Sequence, residues 1–211
     1  MPGTQSISQG RKFGQVVKGA AAIFLRDGYM GASVDDIAQA ARVSKATLYS
    51  YFPDKGLMFQ EAMRAEVARL RFTLDIDPGA GPDQGIPRIT VRIAAWMTDP
   101  LHVGLYRAHV AEATRFASLS KNFHGTQSRL LRDAIAPHLS RWAEGGLLAI
   151  EDANLAAEQL VALSGMGLRD HMLLGKPRAA IDAAAAQAAA LFLRANAPEP
   201  RQAMQRGIRS R

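Results

Sequence analysis

The sequence predicts an all-α fold in two parts, and three observations predict it. Residues 33–52, SVDDIAQAARVSKATLYSYF, read as two short helices joined by a tight turn. From Arg88 to Ala195 apolar residues recur at helical spacing, with no convincing strand. The end of that region, AAIDAAAAQAAALFLRA, is built almost wholly of small helix-forming residues.

Taken in order, the polar, Gly-containing residues 1–10 are expected to be a flexible tail. A first helix is expected from Arg11 to Asp27, where Phe13, Val17, Ala20 and Phe24 form a stripe of period 3.6. Gly14 and Gly19 weaken it locally, and Gly28 ends it. Ser33 with Asp36 three residues on is a capping-box signature, so a second helix starts at Val34. Asp35 and Asp36 lie in its first turn, where the helix dipole favours carboxylates. Ser44 caps a third helix, in which Leu48 and Phe52 share the inward face. Pro53, Asp54 and Lys55 step into a fourth helix, expected to run to Leu74 and to reach the second part of the protein as a lever. Residues 75–87, DIDPGAGPDQGIP, hold three Pro and three Gly and read as a loop. Further helices are expected at 87–98, 101–115, 120–145, 152–174 and 178–195, and residues 196–211 as a second flexible tail.

The third helix has an unusual outward face. Ser44, Lys45, Thr47, Tyr49 and Tyr51 supply hydroxyls, one cation and two phenols, with no carboxylate. Phosphate oxygens take donors and positive charge, and base edges take hydroxyls, methyls and flat rings, so this face suits DNA. The tyrosines can equally pack beside Phe52 and Phe59, since amphipathic aromatics serve both purposes.

At 211 residues and 48% apolar content the chain can bury a substantial core. It has no Cys, hence no disulfide framework and no thiolate chemistry. No apolar run reaches the ~20 residues that span a bilayer, and the first twelve residues lack a signal-peptide core, so the expected compartment is the cytoplasm. The net charge of +7 favours polyanions. Much of the excess lies in the tail, where residues 194–211 hold five Arg against one Glu.

The run GYMGASVDDIAQAARVSKATLYSYFPDKGLMF, with AAIFLRDGY before it, resembles the N-terminal domain of the tetracycline-repressor (TetR) family of transcriptional regulators over residues 12–60. The sequence departs from the family pattern at Ala32, Arg42, Ala46 and Gly56, where Thr, Gly, Gly and Glu are usual. At Arg42 a left-handed turn would cost a non-Gly residue roughly 1 kcal/mol. Either the turn has another geometry or Arg42 accepts the strain and adds a phosphate contact.

The resemblance implies a helix-turn-helix domain at 11–56 and a helical ligand-binding and dimerisation domain at 57–195. The expected DNA-binding residues are Ser33, Arg42, Ser44, Lys45, Ala46, Thr47, Tyr49, Tyr51 and Lys55, the last matching a family lysine that approaches a phosphate. Thr47, Tyr49 and Ala46 would face base edges. The expected partners are double-stranded DNA with a palindromic operator, a small-molecule effector, and a second copy of the chain joined through the last two helices. The small residues of those helices suit a four-helix interface, or else an ordinary intrachain core. The resemblance also implies an effector cavity among the middle helices, with Trp96, Met97, Leu101, Tyr106, His109, Phe116 and Met166 as candidates.

No catalytic signature competes with this reading. The five histidines, His102, His109, His124, His138 and His171, form no metal-binding pair, and there is no nucleophile elbow or phosphate loop. No catalytic residue, metal or cofactor is therefore expected. A non-specific nucleoid-type DNA-binding protein, suggested by the Arg-rich tail, is the alternative, and a small-molecule enzyme the remote one.

Overall fold

The computed structural model describes residues 3–174 and 181–198. All regular elements among them are helices: α1 (Gly3–Gly31), α2 (Val34–Ala41), α3 (Lys45–Tyr51), α4 (Lys55–Ala68), α5 (Pro82–Met97), α6 (Pro100–Ala111), α7 (Ala117–Glu144), α8 (Ala153–Gly165), α9 (Leu168–Leu173) and α10 (Ile181–Ala195). The chain divides into two units. The first runs to Leu70 and includes Gly104–Thr126; the second holds Arg71–Val103 and the described residues from Gln127 onward.

In the first unit α1 packs against α2 and α4, burying Val16, Ala20, Ile23 and Phe24. The helix begins at Gly3 rather than Arg11, because adding turns to a formed helix is far cheaper than nucleating one. Gly28, at φ 74°, breaks α1 as expected. Gly19 has a role that its weak helix propensity hides. A Cβ there would lie 2.7 Å from the backbone nitrogen of Ala41, so the α1–α2 crossing requires glycine.

Helix α4 ends at Ala68, six residues before the expected Leu74, and lies wholly in the first unit. It therefore does not extend as the expected lever. The residues beyond it are an extended strip. Leu70, Phe72 and Ile76 are buried and Leu74 is half-buried, whereas Arg71, Thr73, Asp75 and Asp77 are exposed. Two indoles hold the strip: Trp96 Nε1 donates to Arg71 O at 2.8 Å, and Trp142 Nε1 to Ala80 O at 2.9 Å. The Pro/Gly-rich stretch is thus shorter than expected. Pro82 starts α5 at its first turn, where the missing N–H is harmless and the ring's φ already fits a helix.

The second unit is built around α5, α8, α10 and the latter part of α7. Its core joins Ile86, Ile89, Ile93, Leu139, Trp142, Leu160 and Phe192. Gly85 admits the Trp142 ring, since a Cβ would fall 2.2 Å from it. The expected single helix at 152–174 is two: α8 stops at Gly165, and Gly167 at φ 71° turns the chain into α9. Asp152 caps α8, accepting from Asn154 N and Leu155 N. The expected start of the last helix at 178, and the tail beyond 198, lie outside the described residues. Among the described residues no helix is long and apolar enough to cross a membrane.

Candidate nucleic-acid interface

The α2–turn–α3 unit and the start of α4 after it are fixed by three caps, two serines and an aspartate, each accepting a backbone N–H three residues on. Ser33 Oγ takes Asp36 N at 3.0 Å, Ser44 Oγ takes Thr47 N at 3.1 Å, and Asp54 Oδ1 takes Leu57 N at 2.8 Å. Between α2 and α3 the chain turns at Arg42, the one non-glycine residue with positive φ among the described residues (φ 54°, ψ 46°). Its N–H donates to Gln39 O and the Val43 N–H to Ala38 O, the paired bonds of a Schellman turn. Of the two alternatives posed by the sequence, the structure selects the left-handed turn. Arg42 accepts the strain, and its side chain is exposed.

Leu48 is fully buried and Phe52 nearly so, which anchors α3 from inside. Ser44, Lys45, Ala46, Tyr49 and Ser50 are exposed along the outer face, and Thr47 is half-buried. The Ser44 and Thr47 hydroxyls are 2.9 Å apart, so the cap also orients the threonine. The two tyrosines divide the roles left open by the sequence. Tyr49 is 50% exposed, whereas Tyr51 stands edge-on to Phe13 at 5.8 Å, with Phe13 also tilted against Phe52.

The face is not free of acid. Asp35 of α2 reaches Lys45 Nζ at 2.7 Å, a pair exposed on both sides, and the hydrogen bond that the ammonium donates to Asp35 raises the lysine's pKa. The residues of α3 alone do not reveal this neighbour, which belongs to α2. Lys55 is likewise engaged: its ammonium donates to Ala32 O at 3.0 Å and lies 4.7 Å above the Tyr29 ring. Arg115 covers the same ring at 4.8 Å. Tyr29, Phe24, Phe59 and Phe116 form one aromatic cluster beneath these cations. An ammonium has three donors, so Lys55 is held in place with capacity to spare.

The residues expected around an effector divide between the units. Tyr106, His109 and Phe116 belong to the first; Trp96, Met97, Leu101 and Met166 to the second. Trp96 and Met97 are buried, with the Trp96 ring against Phe72 and His102. Leu101 is exposed and Met166 is 79% exposed. Phe116 packs in the Tyr29 cluster. His109 is 2% exposed, stacked on Phe123, and its Nδ1 lies 2.8 Å from Leu105 O. Burial lowers its pKa, with the Leu105 bond opposing, so the ring is neutral at pH 7 and donates through Nδ1. Its Nε2 is then a buried acceptor without a partner among the described residues.

Two capped helices joined by a left-handed turn, the second carrying an exposed row of donors, define a helix-turn-helix DNA-binding protein. Comparison with known proteins agrees. Residues 16–62 match the family of bacterial regulatory proteins described as the tetR family, and residues 84–198 match the C-terminal domain of AefR-like transcriptional repressors. A helix-turn-helix transcriptional repressor of Streptomyces coelicolor is 33% identical over 64 residues, 30% of this chain and 33% of that protein. The chain thus aligns with about a third of the length of that curated relative. The solved flavonoid-responsive regulator FrrA is 29% identical, covering 90% of this chain and 99% of its own, with a TM-score of 0.69. A TetR-family regulator from Mesorhizobium loti shares the fold at 24% identity and a TM-score of 0.74, covering 90% and 98% of the two chains. The chain belongs to the TetR family of transcriptional regulators.

Proposed function

We propose that the protein is a homodimeric repressor that binds a palindromic operator through α3 and leaves it when a small molecule binds. The observation that carries this is the outer face of α3, where Ser44, Lys45, Ala46, Thr47 and Tyr49 stand on a helix locked from beneath by Leu48 and Phe52. Ala46, Thr47 and Tyr49 read base edges. Ser44, Lys45 and Lys55 hold phosphates, with Ser33 and Arg42 flanking them. Tyr51, leaning on Phe13, contacts the backbone only with its outer edge. The compartment in this reading is the cytoplasm.

The dimer forms through α8 and α10. One face of α10 is used inside the chain, where Ala185, Ala188, Ala189 and Phe192 are buried. The other leaves Leu191 46% exposed, next to Ala162 of α8 in one groove, and Leu155 of α8 is 53% exposed. Exposed Ala162 and Met166 extend the α8 side of that surface at helical spacing. A second copy covers these side chains and brings two α3 helices to one duplex.

Control is a population shift by an effector that prefers the DNA-free arrangement. Among the residues expected to contact it, His109 has the strongest support, because its buried Nε2 acceptor calls for a donor. FrrA's description as flavonoid-responsive makes flavonoids a reasonable first set to screen.

The test is selection from a random duplex library at roughly 0.15 M salt. The expected result is a palindrome with half-sites one helical turn, or a multiple of it, apart, bound at about 10⁻⁸ M or tighter. Sequence-blind binding alone would overturn the proposal.

A further inference from the structure

We propose that the groove between the extended strip and the outer face of α5 is a binding site for a small amphipathic carboxylate. The groove has a volume of about 690 Å³ and lies entirely within the second unit. It is bounded by Thr73–Ile76 on one side and by Pro87, Arg88, Val91, Arg92 and Ala95 on the other. That volume is within the range that encloses small organic ligands.

Its floor is apolar. Leu74, Val91 and Ala95 face it, and Val91 is 47% exposed although it sits mid-helix among buried Ile89, Thr90 and Ile93. Its rim is charged in a way that internal contacts do not neutralise. Arg88 and Arg92 are one turn apart on α5, a spacing at which like charges repel. Arg92 is positioned by the strip: its Nε donates to Thr73 O at 3.3 Å, and its guanidinium lies 5.4 Å from the Phe72 ring. None of the ion pairs among the described residues includes Arg88 or Arg92, and Arg88 makes no other side-chain bond there.

Asp75 also borders the groove and works against an anion, but it is one carboxylate facing two guanidiniums and pairs with neither. The chemistry that satisfies this arrangement is one carboxylate between the two guanidiniums and an apolar body lying on Leu74, Val91 and Ala95. A hydroxyl at the far end of the ligand can donate to Asp75. Doubly charged anions are disfavoured by the same carboxylate. This site is separate from the His109 environment, which lies in the other unit, and does not depend on how the protein reads DNA.

The experiment titrates 2-naphthoate into the full-length protein by calorimetry, without DNA, with 2-naphthalenemethanol as the uncharged counterpart. Saturable naphthoate binding is expected, with the alcohol at least about tenfold weaker, the value of one lost charge-assisted contact. Arg88→Gln is the clean variant, because Arg88 has no structural bond to lose. It should weaken naphthoate about tenfold while leaving the alcohol unchanged. Val91→Asp should abolish both, and Asp75→Asn should tighten naphthoate. Equal binding of acid and alcohol, an unaffected Arg88→Gln, or no saturable binding would overturn the proposal. Operator affinity measured on the same variants separates this failure from a failure of the repressor reading.

Discussion

The α2–α3 reader and the strip of residues 69–81 are both short and both lack a core of their own, yet they are ordered by opposite means. In the reader, each helix start is satisfied by a side chain three residues away, at Ser33 and Ser44, and Asp54 does the same for the following α4. In the strip, the fixing bonds come from Trp96, 25 residues beyond its acceptor, and Trp142, 62 residues beyond. Local order tolerates the loss of one contact and keeps its shape. Borrowed order fails with its donor.

That contrast can be broken at graded cost. The largest effect is expected from Trp142→Ala, which empties the centre of the second core, removes the bond to Ala80 and should cost about 3–5 kcal/mol. A urea midpoint unchanged from the parent would show that the strip is held by something else. Next is Gly19→Ala, where a methyl meets the Ala41 backbone at 2.7–2.8 Å. Overpacking of this kind costs about 1–3 kcal/mol and should also lower operator affinity by shifting α2. If Gly19→Ala is silent in thermal melts and in DNA binding, the crossing is looser than described.

Ser44→Ala removes one local cap, at about 1 kcal/mol, and should leave the strip untouched. Hydrogen exchange that changed at residues 70–80 rather than near α3 would contradict the contrast. Asp35→Asn should leave stability nearly unaltered but free Lys45. Non-specific DNA affinity should rise and the salt slope steepen by up to about 0.9 per reader, whereas an identical slope would mean that Asp35 does not hold Lys45 back from the DNA. Arg42→Gly is expected to be smallest, relieving left-handed strain but adding freedom to the unfolded chain, for a net gain of a few tenths of a kcal/mol.

The same difference explains what could be read from the sequence. Ser33, Ser44 and Leu48 announce the reader because cap and periodicity are local signals. Arg42 marked the turn, but choosing between a strained turn and a different one required its backbone angles. The strip carried a signal too, the alternation of Leu70, Phe72, Leu74 and Ile76. It was masked because the period of α4 runs into it through Val67 and Leu70, both also apolar at helical spacing. The prolines at 82 and 87 were counted as breakers although one of them starts a helix. The Asp35–Lys45 pair and the Gly19–Ala41 crossing join separate helices, so no spacing within either helix encodes them. The proposed effector residues illustrate the limit most clearly, since aromatic and Met residues at helical spacing look alike whether they fill a core, as Trp96 does, or face solvent, as Met166 does.

The distance from the strip to Trp142 also bears on the life of the nascent chain. A ribosome adds roughly 5–20 residues each second, so residues 70–76 precede Trp96 by about 1–4 s and Trp142 by about 3–13 s. Until Trp96 is made LRFTLDI has no indole to receive it, and until Trp142 is made the end of the strip at Ala80 has none. It is a seven-residue segment rich in apolar and β-favouring side chains, of the sort that pairs with its like in other chains. Arg71, Asp75, Asp77 and Pro78 interrupt or flank it at its outward positions. These outward residues thereby also act as gatekeepers for the unfinished chain.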